Sequence, residues 1–418
     1  MKFIRTALGP KTILQLKQES QVTNSKLPLT TLPYEHIFHN ITEYLNKNLN
    51  IIDPKENIEL SNLSTILKNP LSIYQNLYFE PDASQIANEL EALKQNNCLL
   101  ICDATNEKHG QNKIIFTEIQ KISKINICFG ISLNLNKFKE NPKKYSNELQ
   151  YLVIYGDDKE PDNEKLIPSF IGEEFLTEFT DDFKNLYKII IDDLINKYEI
   201  PLFIKIQGKN KFDNLNKYII FFNSSNITNK LKIVFILGLS DKEDDKYYNE
   251  ISENIENILS NGYSIILTTF EFDYSLLKKD SNINVDLYFN KSKANLLNKI
   301  IINNKKNIKQ IMLSNNINYR VQLKKYGGFG YNNLFENYLG IILNGLEKEH
   351  VEDLLCNNLL NLLCYWEPIE KFKKSVKMVK CENCENEKEE NDKDLFSKYD
   401  KNFCSFRCLK EWLIKNPQ

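Results

Sequence analysis

The amino-acid sequence predicts a (β/α)8 barrel that is followed by a small cysteine-rich module. Short, continuous apolar runs recur along the chain, and polar residues and then an amphipathic stretch follow each run. About eight such units occupy roughly the first 340 residues, which makes a closed barrel the economical arrangement. An open, doubly wound sheet is the alternative that the same pattern allows. Cysteines grouped near the C-terminus predict the second module.

The apolar runs are predicted to be the strands of the barrel. Runs that are apolar throughout, rather than alternating, are typical of parallel strands buried on both faces. Helical periodicity between the runs is clear at 82–96 and 181–199. After a first strand that ends at Tyr34 and His36, the predicted strands are 97–105, 124–133, 169–175, 200–208, 232–241, 263–272 and 308–316.

The composition limits the classes of function. The 418 residues carry a formal net charge of -2, which argues against a general nucleic-acid binder because such domains usually have a basic excess. No apolar stretch approaches the roughly 18 residues that span a membrane, and the N-terminus lacks the apolar core of a secretory signal. Nine cysteines in a chain of this length do not suggest a disulfide framework. These features predict an intracellular protein of a reducing compartment, most simply the cytoplasm.

Functional side chains in such a barrel are expected at the C-terminal ends of the strands. A hydrolytic site with two metal ions needs several imidazoles and carboxylates that converge on the ions. The strand ends supply one histidine and one glutamate, together with a tyrosine, a lysine, a leucine and an amide, which is too few ligands for a binuclear site. In chain order these residues are Tyr34, His36, Glu173, Lys205, Leu239 (with Asp241 two residues later) and Asn316 (beside Asn315).

The segment 324–363 carries a resemblance to a known family. Its sequence, KKYGGFGYNNLFENYLGIILNGLEKEHVEDLLCNNLLNLL, resembles the closing segment of the phosphotriesterase-related branch of the amidohydrolase superfamily. The block YGGFGY, from Tyr326 to Tyr331, is the most specific part. The blocks RTALGPKTI, LPYEHIF, LICDATNEKHGQN, FIGEEF and IPLFIKIQG resemble other parts of the family in the same order, so the resemblance covers about residues 5–368.

This resemblance implies a (β/α)8 barrel with two divalent metal ions. The family's ligands are a His-x-His pair after the first strand, a glutamate or carboxylated lysine after the fourth, and His, His and Asp after the fifth, sixth and eighth. His36 and Glu173 match this pattern. We expect no barrel metals and no catalytic residues at the other positions, since three histidines and the aspartate that is also the general base are replaced by Tyr34, Lys205, Leu239 and Asn316.

Lys205 and the remaining histidines also carry expectations for this site. Lys205 is expected to point into the same mouth as Glu173, where its ammonium would neutralise the carboxylate in place of a metal ion. A buried carboxylate without a counter-charge would be costly. His39 is expected to be an ordinary polar neighbour of His36, with a substitute ligand as the alternative. His109 is expected to be solvated, with an approach to the mouth as the alternative, and His350 is expected to lie on a surface helix.

The C-terminal cysteines predict one structural zinc site. Cys381, Cys384, Cys404 and Cys408 follow the spacing C-x2-C-x19-C-x3-C, and two close pairs separated by a loop are typical of four thiolates around tetrahedral zinc. The second pair opens a predicted helix, and its start at "FCS" resembles the small zinc fingers of the TRASH, MYM and FCS group. Free or redox-active thiols are the alternative. A tail with so few apolar residues is not expected to fold without metal.

These expectations combine into a domain plan and three candidate functions. We expect a barrel over 1–370, a basic linker over 371–380 and a four-cysteine zinc finger over 381–418. The preferred function is a catalytically inactive, phosphotriesterase-like pseudoenzyme that works as a scaffold and binds a protein partner through its finger, whose acidic loop argues against nucleic acid. The alternatives are a metal-dependent hydrolase of ester or amide bonds, with a remodelled, mononuclear site at His36 and Glu173, and a small-molecule sensor without turnover.

Overall fold

The structure is a computed structural model that divides into two compact units, Met1–Trp366 and Glu367–Gln418. It describes residues 2–19, 27–46, 52–156, 166–176, 178–208, 210–239, 245–273, 290–366, 378–389, 396–398 and 401–416. Asp241 and most of the predicted linker, 371–377, lie outside these ranges. None of the helices within them is long and apolar enough to cross a membrane.

A parallel eight-stranded sheet forms the centre of the first unit. Its strands follow one another in space in the order in which they occur in the chain, from β3 to β10. Each predicted run from 97–105 to 308–316 contains one of these strands, so the predicted parallel sheet is confirmed. The strands of the unit are β1 (Lys2–Thr6), β2 (Gly9–Thr12), β3 (Thr30–Glu35), β4 (Cys98–Asp103), β5 (Asn126–Ile131), β6 (Phe170–Phe175), β7 (Leu202–Lys205), β8 (Ile233–Gly238), β9 (Ser264–Thr268), β10 (Ile311–Ser314) and β11 (Tyr365–Trp366).

The first and last strands of this sheet, β3 and β10, meet at a seam. The Tyr34 amide donates to Ser314 Oγ at 3.1 Å. The Glu35 carboxylate accepts hydrogen bonds from Ser314 Oγ at 2.8 Å and from the Asn315 amide at 2.7 Å. Because these bonds bridge the seam, the sheet is a nearly closed barrel and not the open sheet that the sequence pattern also allowed.

Helices connect the strands and cover the outside of the barrel. The helix Ala83–Glu91 shows how the sequence specifies them: the Asp82 carboxylate accepts hydrogen bonds from two backbone amides of the first turn, and Ile86 and Leu90 are buried. In the described part of the first unit, the α-helices are Ile13–Glu19, Leu63–Lys68, Tyr74–Leu77, Ala83–Glu91, Phe116–Ser123, Leu135–Glu140, Pro142–Tyr155, Asp181–Ile190, Asn196–Tyr198, Lys211–Ser224, Asp245–Ser260, Lys291–Asn303, Leu339–Ile342, Lys348–Glu352 and Asn358–Leu363.

Alternate residues of each strand fill two separate cores. Side chains that point inward, such as Phe170, Phe203 and Val234, pack with one another inside the barrel. Side chains of the other parity, such as Ile204 and Phe235, pack against the surrounding helices. Two faces of a strand are both buried in this way when helices cover a closed sheet, which explains the continuous apolar runs in the sequence.

Both ends of the barrel are covered. At the end where the strands begin, the antiparallel sheet of β11, β1 and β2 and the helix Asn358–Leu363 contribute to the inner core. At the opposite end, the long segment that follows β3 packs Ile41, Ile66 and Leu77 against Phe272 and Val321 from the loops after β9 and β10. This third cluster covers the barrel mouth, where functional residues are expected.

The second unit is a small module around four cysteines. Two short hairpins, β12 (Met378–Lys380) with β13 (Glu387–Glu389) and β14 (Phe396–Lys398) with β15 (Lys401–Phe403), precede the helix Phe406–Lys415. Phe403 and Leu409 are buried together with Cys381 and Cys408. So small an apolar core provides little stabilisation by itself.

Candidate functional site

The sequence-predicted barrel positions lie at or just after the C-terminal ends of their strands, and the structure buries all of them. The positions are Tyr34 in β3, His36 after it, Glu173 in β6, Lys205 at the end of β7, Leu239 after β8 and Asn316 after β10. None of these side chains is more than 3% exposed. Buried polar groups normally have hydrogen-bond partners, from the protein or from ordered water.

Glu173 is the centre of the mouth. The ammonium of Lys205 lies 3.5 Å from its Oε2 atom, and His36 Nε2 lies 3.7 Å from the same oxygen. The pairing of Lys205 with Glu173 that the sequence predicted is thus present. Gly172 makes it feasible: a Cβ atom there would lie 2.6 Å from the Phe203 carbonyl oxygen, so only glycine lets β6 approach β7 this closely.

Lys205 is a buried cation between a carboxylate and two aromatic rings. Its Nζ atom lies 5.5 Å from the ring centre of Tyr34 and 5.2 Å from that of Phe272, within the range of cation–π attraction. Burial lowers the pKa of Lys205, and the negative charge of Glu173 opposes this shift. The rings and the carboxylate together favour the charged ammonium.

His36 is held as a neutral imidazole. Burial lowers its pKa well below the usual value, and the neighbouring His39 and Lys205 lower it further. Its Nδ1 atom lies 3.3 Å from Thr105 Oγ1, and the Tyr34 ring meets the imidazole edge-on at 5.5 Å. A neutral His36 leaves Lys205 as the cation that faces Glu173.

Two further histidines lie at the mouth, although the sequence reasoning did not favour that role for them. The rings of His36 and His39 stack at 4.9 Å, and His109 meets His39 edge-on at 6.0 Å. His39 is fully buried and His109 is 3% exposed, so the expectation of a solvated His109 is wrong. A signal was available: His109 follows β4, the neighbour of β3, and residues after adjacent parallel strands meet at one edge of the sheet. His350 lies on the helix Lys348–Glu352, as expected.

Hydrogen bonds fix the ring orientations of these two histidines. His39 Nδ1 lies 2.8 Å from the Asn318 carbonyl oxygen, which only accepts, so Nδ1 carries the proton. Asn106 Nδ2 donates to His109 Nδ1 at 3.0 Å. Burial lowers the pKa of His39 to about 3 and that of His109 to about 4, so both rings are neutral.

Leu239 does not face the mouth, which corrects the assignment made from sequence. It packs with Leu237 in the core between the sheet and the helices, whereas Val234 and Ile236 belong to the inner core. Since alternate residues of β8 face inward, the inward-facing residue at its end is Gly238. A Cβ atom at Gly238 would lie 2.8 Å from the Glu271 Cα atom. The loop after β9 thus occupies the space that a histidine side chain would need.

Asn316 supplies an amide where a general base would be expected. Its backbone adopts the left-handed conformation, with φ of +68°, which asparagine tolerates better than most residues. Its Nδ2 donates to the Phe270 carbonyl oxygen at 3.1 Å, and its Oδ1 accepts from Asn318 Nδ2 at 2.9 Å. An amide engaged in this way has no ionisable group with which to take a proton.

The described residues of the barrel mouth do not offer the ligands that a pair of metal ions needs. Such ions need several converging imidazole and carboxylate atoms, and here an ammonium lies at the carboxylate instead. In the part of the chain that the structure describes, only one group of three or more His, Cys, Asp or Glu residues brings its ligand atoms together, and it is Cys381, Cys384, Cys404 and Cys408 of the second unit.

The four cysteine sulfurs form a compact cluster that fits one tetrahedral metal ion. All lie within 4.8 Å of one another. Cys404 Sγ lies 3.4 Å from that of Cys384 and 3.5 Å from that of Cys408. Zinc–sulfur bonds of about 2.3 Å place the sulfurs of a tetrahedral site roughly 3.8 Å apart, close to these distances. Ser405 caps the helix that carries Cys408, accepting a hydrogen bond from its amide at 3.2 Å.

Comparisons with known proteins identify the fold. No protein-family model matches the chain, and no curated protein matches it in sequence. A resiniferatoxin-binding protein from Rhodobacter sphaeroides superposes with a TM-score of 0.66 at 14% identity, over 86% of this chain and 94% of that one. The phosphotriesterase homology protein from Escherichia coli, complexed with phosphate in its active site, gives 0.55 at 15% identity, over 80% of this chain and 98% of that one.

A third similar structure comes from the engineering of organophosphate hydrolysis activity from a weak, promiscuous lactonase template. It gives a TM-score of 0.52 at 13% identity, over 86% of this chain and 99% of that one. Likenesses at such low identity establish architecture and not activity. The first unit of this chain therefore has the fold of the phosphotriesterase-like (β/α)8 barrels.

Proposed function

We propose that the protein is a catalytically inactive member of this fold, a scaffold whose zinc-loaded finger binds a protein partner. The observation that supports this most directly is the Lys205 ammonium, 3.5 Å from Glu173 Oε2. In a two-metal hydrolytic site, a carboxylate at this place would bind divalent cations. Here a cation of the chain itself occupies the place, so no metal-activated hydroxide is generated.

The electrostatics of the mouth oppose metal binding. Two positive charges a few ångströms apart repel each other strongly where water is excluded, and Lys205 is only 3% exposed. A divalent ion between His36 and Glu173 would therefore have to displace the ammonium or its proton. The ion would also have too few ligands, because Tyr34 and Asn316 stand at positions where ligating side chains would be needed.

The covered mouth supports a scaffold rather than a catalyst or a sensor. His36 and Glu173 are at most 2% exposed beneath the cluster that contains Phe272. A substrate or ligand needs a cavity with polar groups open to it. In this mouth Glu173 Oε2 faces Lys205 and His36 instead, and these groups are closed off from solvent.

The finger supports the partner-binding half of the proposal. Four thiolates at the observed spacing would hold zinc, which supplies the folding energy that Phe403, Leu409 and the partly buried Trp412 cannot. Fingers of this kind are small rigid platforms with most of their surface exposed. Zinc here has a structural role, since all four ligands come from the protein and no position stays open for substrate.

The second candidate, a hydrolase with a remodelled mononuclear site, draws on the three histidines at the mouth. His39 Nδ1 and His109 Nδ1 are committed to hydrogen bonds with Asn318 and Asn106. Within the described ranges, no third histidine, cysteine or carboxylate atom joins those of His36 and Glu173. A hydrolase would therefore need a further ligand atom to move toward His36 and Glu173 before a metal ion could bind.

Metal analysis of the full chain separates the two candidates. We expect about one zinc per chain in the wild type and none in Cys404→Ser/Cys408→Ser, because four thiolates bind zinc far more tightly than two. Neither protein is expected to hydrolyse esters, lactones or phosphotriesters in the presence of added zinc, manganese or cobalt. Metal retained by the double variant, together with hydrolysis that His36→Ala abolishes, would establish the hydrolase and refute the pseudoenzyme.

A further inference from the structure

The four cysteines of the finger differ in how much solvent reaches them. Cys381 is 1% exposed and Cys408 is 9% exposed, and both belong to the small core of the module. Cys404 is partly exposed, and Cys384 is exposed. A reagent dissolved in water therefore meets the Cys384 sulfur more readily than the other three.

The exposure of Cys384 follows from the turn that carries it. The Cys381 amide donates to the Asn386 carbonyl oxygen at 2.9 Å, and the Glu385 amide donates to the Cys381 carbonyl oxygen at 2.9 Å. Glu385 adopts the left-handed conformation, with φ of +59°. These bonds close a tight turn whose first residue, Cys381, is buried, while Cys384, three residues later, stays open to solvent.

Cys404 places a second sulfur beside the exposed one. Its Sγ atom lies 3.4 Å from that of Cys384. A disulfide bond is about 2.0 Å long, so the two sulfurs would need to approach by roughly 1.4 Å to form one. Cysteines that react with oxidants are typically accessible thiolates with a second cysteine poised next to them. Cys384 and Cys404 have this arrangement, and a cysteine bound to zinc is already deprotonated.

The other five cysteines of the chain provide a contrast. All are buried within the first unit, so a reagent from solvent does not reach them while that unit is folded. They are Cys98, Cys102, Cys128, Cys356 and Cys364. The accessible thiol chemistry of the folded chain is therefore concentrated in the finger.

We propose that Cys384 is an oxidation site at which peroxide inactivates the finger. The proposal rests on the zinc-loaded, partner-binding finger and adds the regulation of that module. A disulfide between Cys384 and Cys404 would leave two thiolates, and two thiolates bind zinc far more weakly than four. Without zinc the small core does not hold the fold, so the partner-binding surface is lost.

The reaction balances with hydrogen peroxide as the oxidant. The Cys384 thiolate attacks one peroxide oxygen, the O–O bond breaks, and the products are a sulfenic acid at Cys384 and a hydroxide ion. The Cys404 thiolate then attacks the Cys384 sulfur and displaces a second hydroxide ion, and the disulfide forms. Two protons from solvent convert the hydroxide ions to water, so hydrogen peroxide takes up the two electrons that the thiolates lose.

Hydrogen peroxide added to the zinc-loaded full chain tests the proposal. A chromogenic chelator follows zinc release, and mass spectrometry of peptides alkylated without reduction locates the disulfide. We expect about one zinc per chain to be released together with a disulfide between Cys384 and Cys404, while the five barrel cysteines stay reduced. Dithiothreitol and added zinc should then restore the zinc content.

Two histidine variants sharpen the test, because three cysteines and one histidine also bind zinc. Cys384→His removes the exposed thiol and should retain its zinc in peroxide. Cys408→His is the matched control: it makes the same change at a buried position, keeps Cys384 and Cys404, and should release zinc as the wild type does. Limited alkylation of the wild type with iodoacetamide needs no variant, and Cys384 should be modified before Cys381 and Cys408.

The outcomes separate this inference from the proposed function. Each protein is first checked for one zinc per chain, and a wild type without zinc would refute the zinc-loaded finger itself. Zinc that is bound but not released by peroxide would overturn the oxidation site and leave the proposed function intact. A disulfide between any other pair of cysteines, equal zinc release from Cys384→His and the wild type, or alkylation that begins at Cys381 or Cys408 would overturn it as well.

Discussion

At the barrel mouth, the cation that faces the buried Glu173 belongs to the chain itself, whereas the clustered thiols of the finger require a cation from outside. Lys205 Nζ lies 3.5 Å from Glu173 Oε2. The four finger sulfurs lie within 4.8 Å of one another, where thiolates repel unless a metal ion lies between them. A large barrel core can bury an internal ion pair without metal, but a module this small depends on its ion.

Among the tests of this comparison, removal of zinc is expected to have the largest effect on folding. A strong chelator, or Cys404→Ser/Cys408→Ser, should unfold the finger completely while the barrel stays folded, because apparent zinc-binding energies of roughly 10–16 kcal/mol are folding energies in such modules. NMR spectra should show the indole of Trp412 move to a random-coil position. The buried methyl signals of the barrel, such as those of Ile266, should not shift. Loss of the barrel signals on chelation would contradict the comparison, because it would indicate an essential metal ion in the barrel mouth.

Removal of the internal cation is expected to have the next largest effect. Lys205→Met should lower the free energy of unfolding by about 3–5 kcal/mol, the usual cost of leaving one partner of a buried ion pair alone. Urea unfolding followed by far-UV circular dichroism measures this. In Lys205→Met/Glu173→Gln the uncompensated charge is gone, so much of the loss should be recovered.

The exposed pair of Lys184 and Asp181 provides the matched control for this measurement. Its side chains are 44% and 89% exposed, so water screens the attraction between the two charges and the pair contributes little to stability. Lys184→Met should therefore change the stability little. Equal losses in Lys205→Met and Lys184→Met would show that the Lys205 ammonium does not compensate Glu173.

The lowered pKa values of the buried histidines predict how the free energy of unfolding depends on pH. Burial lowers the pKa of His39 from its ordinary value of 6.5 to about 3. As the pH falls below 6.5, the unfolded chain takes up a proton at this residue while the folded chain does not, so stability is lost on acidification. Between pH 7 and pH 5 this single residue contributes a loss of about 2 kcal/mol.

A comparison with His39→Asn isolates this contribution. Burial raises the pKa of Glu35 and of Asp103 to about 7, so both bind protons in the folded state and act in the opposite direction. These carboxyls are present in wild type and variant alike and cancel in the difference. Urea unfolding at pH 7 and pH 5 should show the wild type losing about 2 kcal/mol more than the variant. Parallel pH dependences would mean that the folded state protonates His39 readily.

The barrel and the positions around its mouth were accessible from sequence for a physical reason. Parallel strands buried on both faces leave continuous apolar runs, and the runs around Phe203 and Ile266 each contain a strand. The ends of such strands converge by geometry, so the sequence alone could place His36, Glu173 and Lys205 together. The four cysteines could be grouped because ligand spacing in sequence directly constrains a tetrahedral site.

The features that the sequence could not predict depend on strand register and on contacts between residues that are distant in the chain. A shift of one residue turns a side chain to the other face of a strand, and this separates Leu239 outside the barrel from Gly238 inside. The approach of Glu271 that leaves no room at Gly238 is invisible in either segment alone. The burial of His109 likewise depends on the segment after β3, since the amide of Asn40 donates to its carbonyl oxygen at 2.7 Å.

The smallest expected effect comes from restoring one acidic residue to the mouth. Asn316→Asp returns the carboxylate that the resemblance places after the last strand, yet we expect no additional metal and no hydrolysis, because Lys205 and the closed space at Gly238 remain. The new carboxylate would also replace the amide that donates to the Phe270 carbonyl oxygen, at a cost of about 1–3 kcal/mol. Zinc content measured beside Asn316→Ser, which restores no charge, should stay at one per chain in both variants. A second metal ion in Asn316→Asp alone would mean that a metal ion displaces the Lys205 ammonium once a third ligand is supplied. The ammonium would then not be sufficient to keep metal out of the mouth.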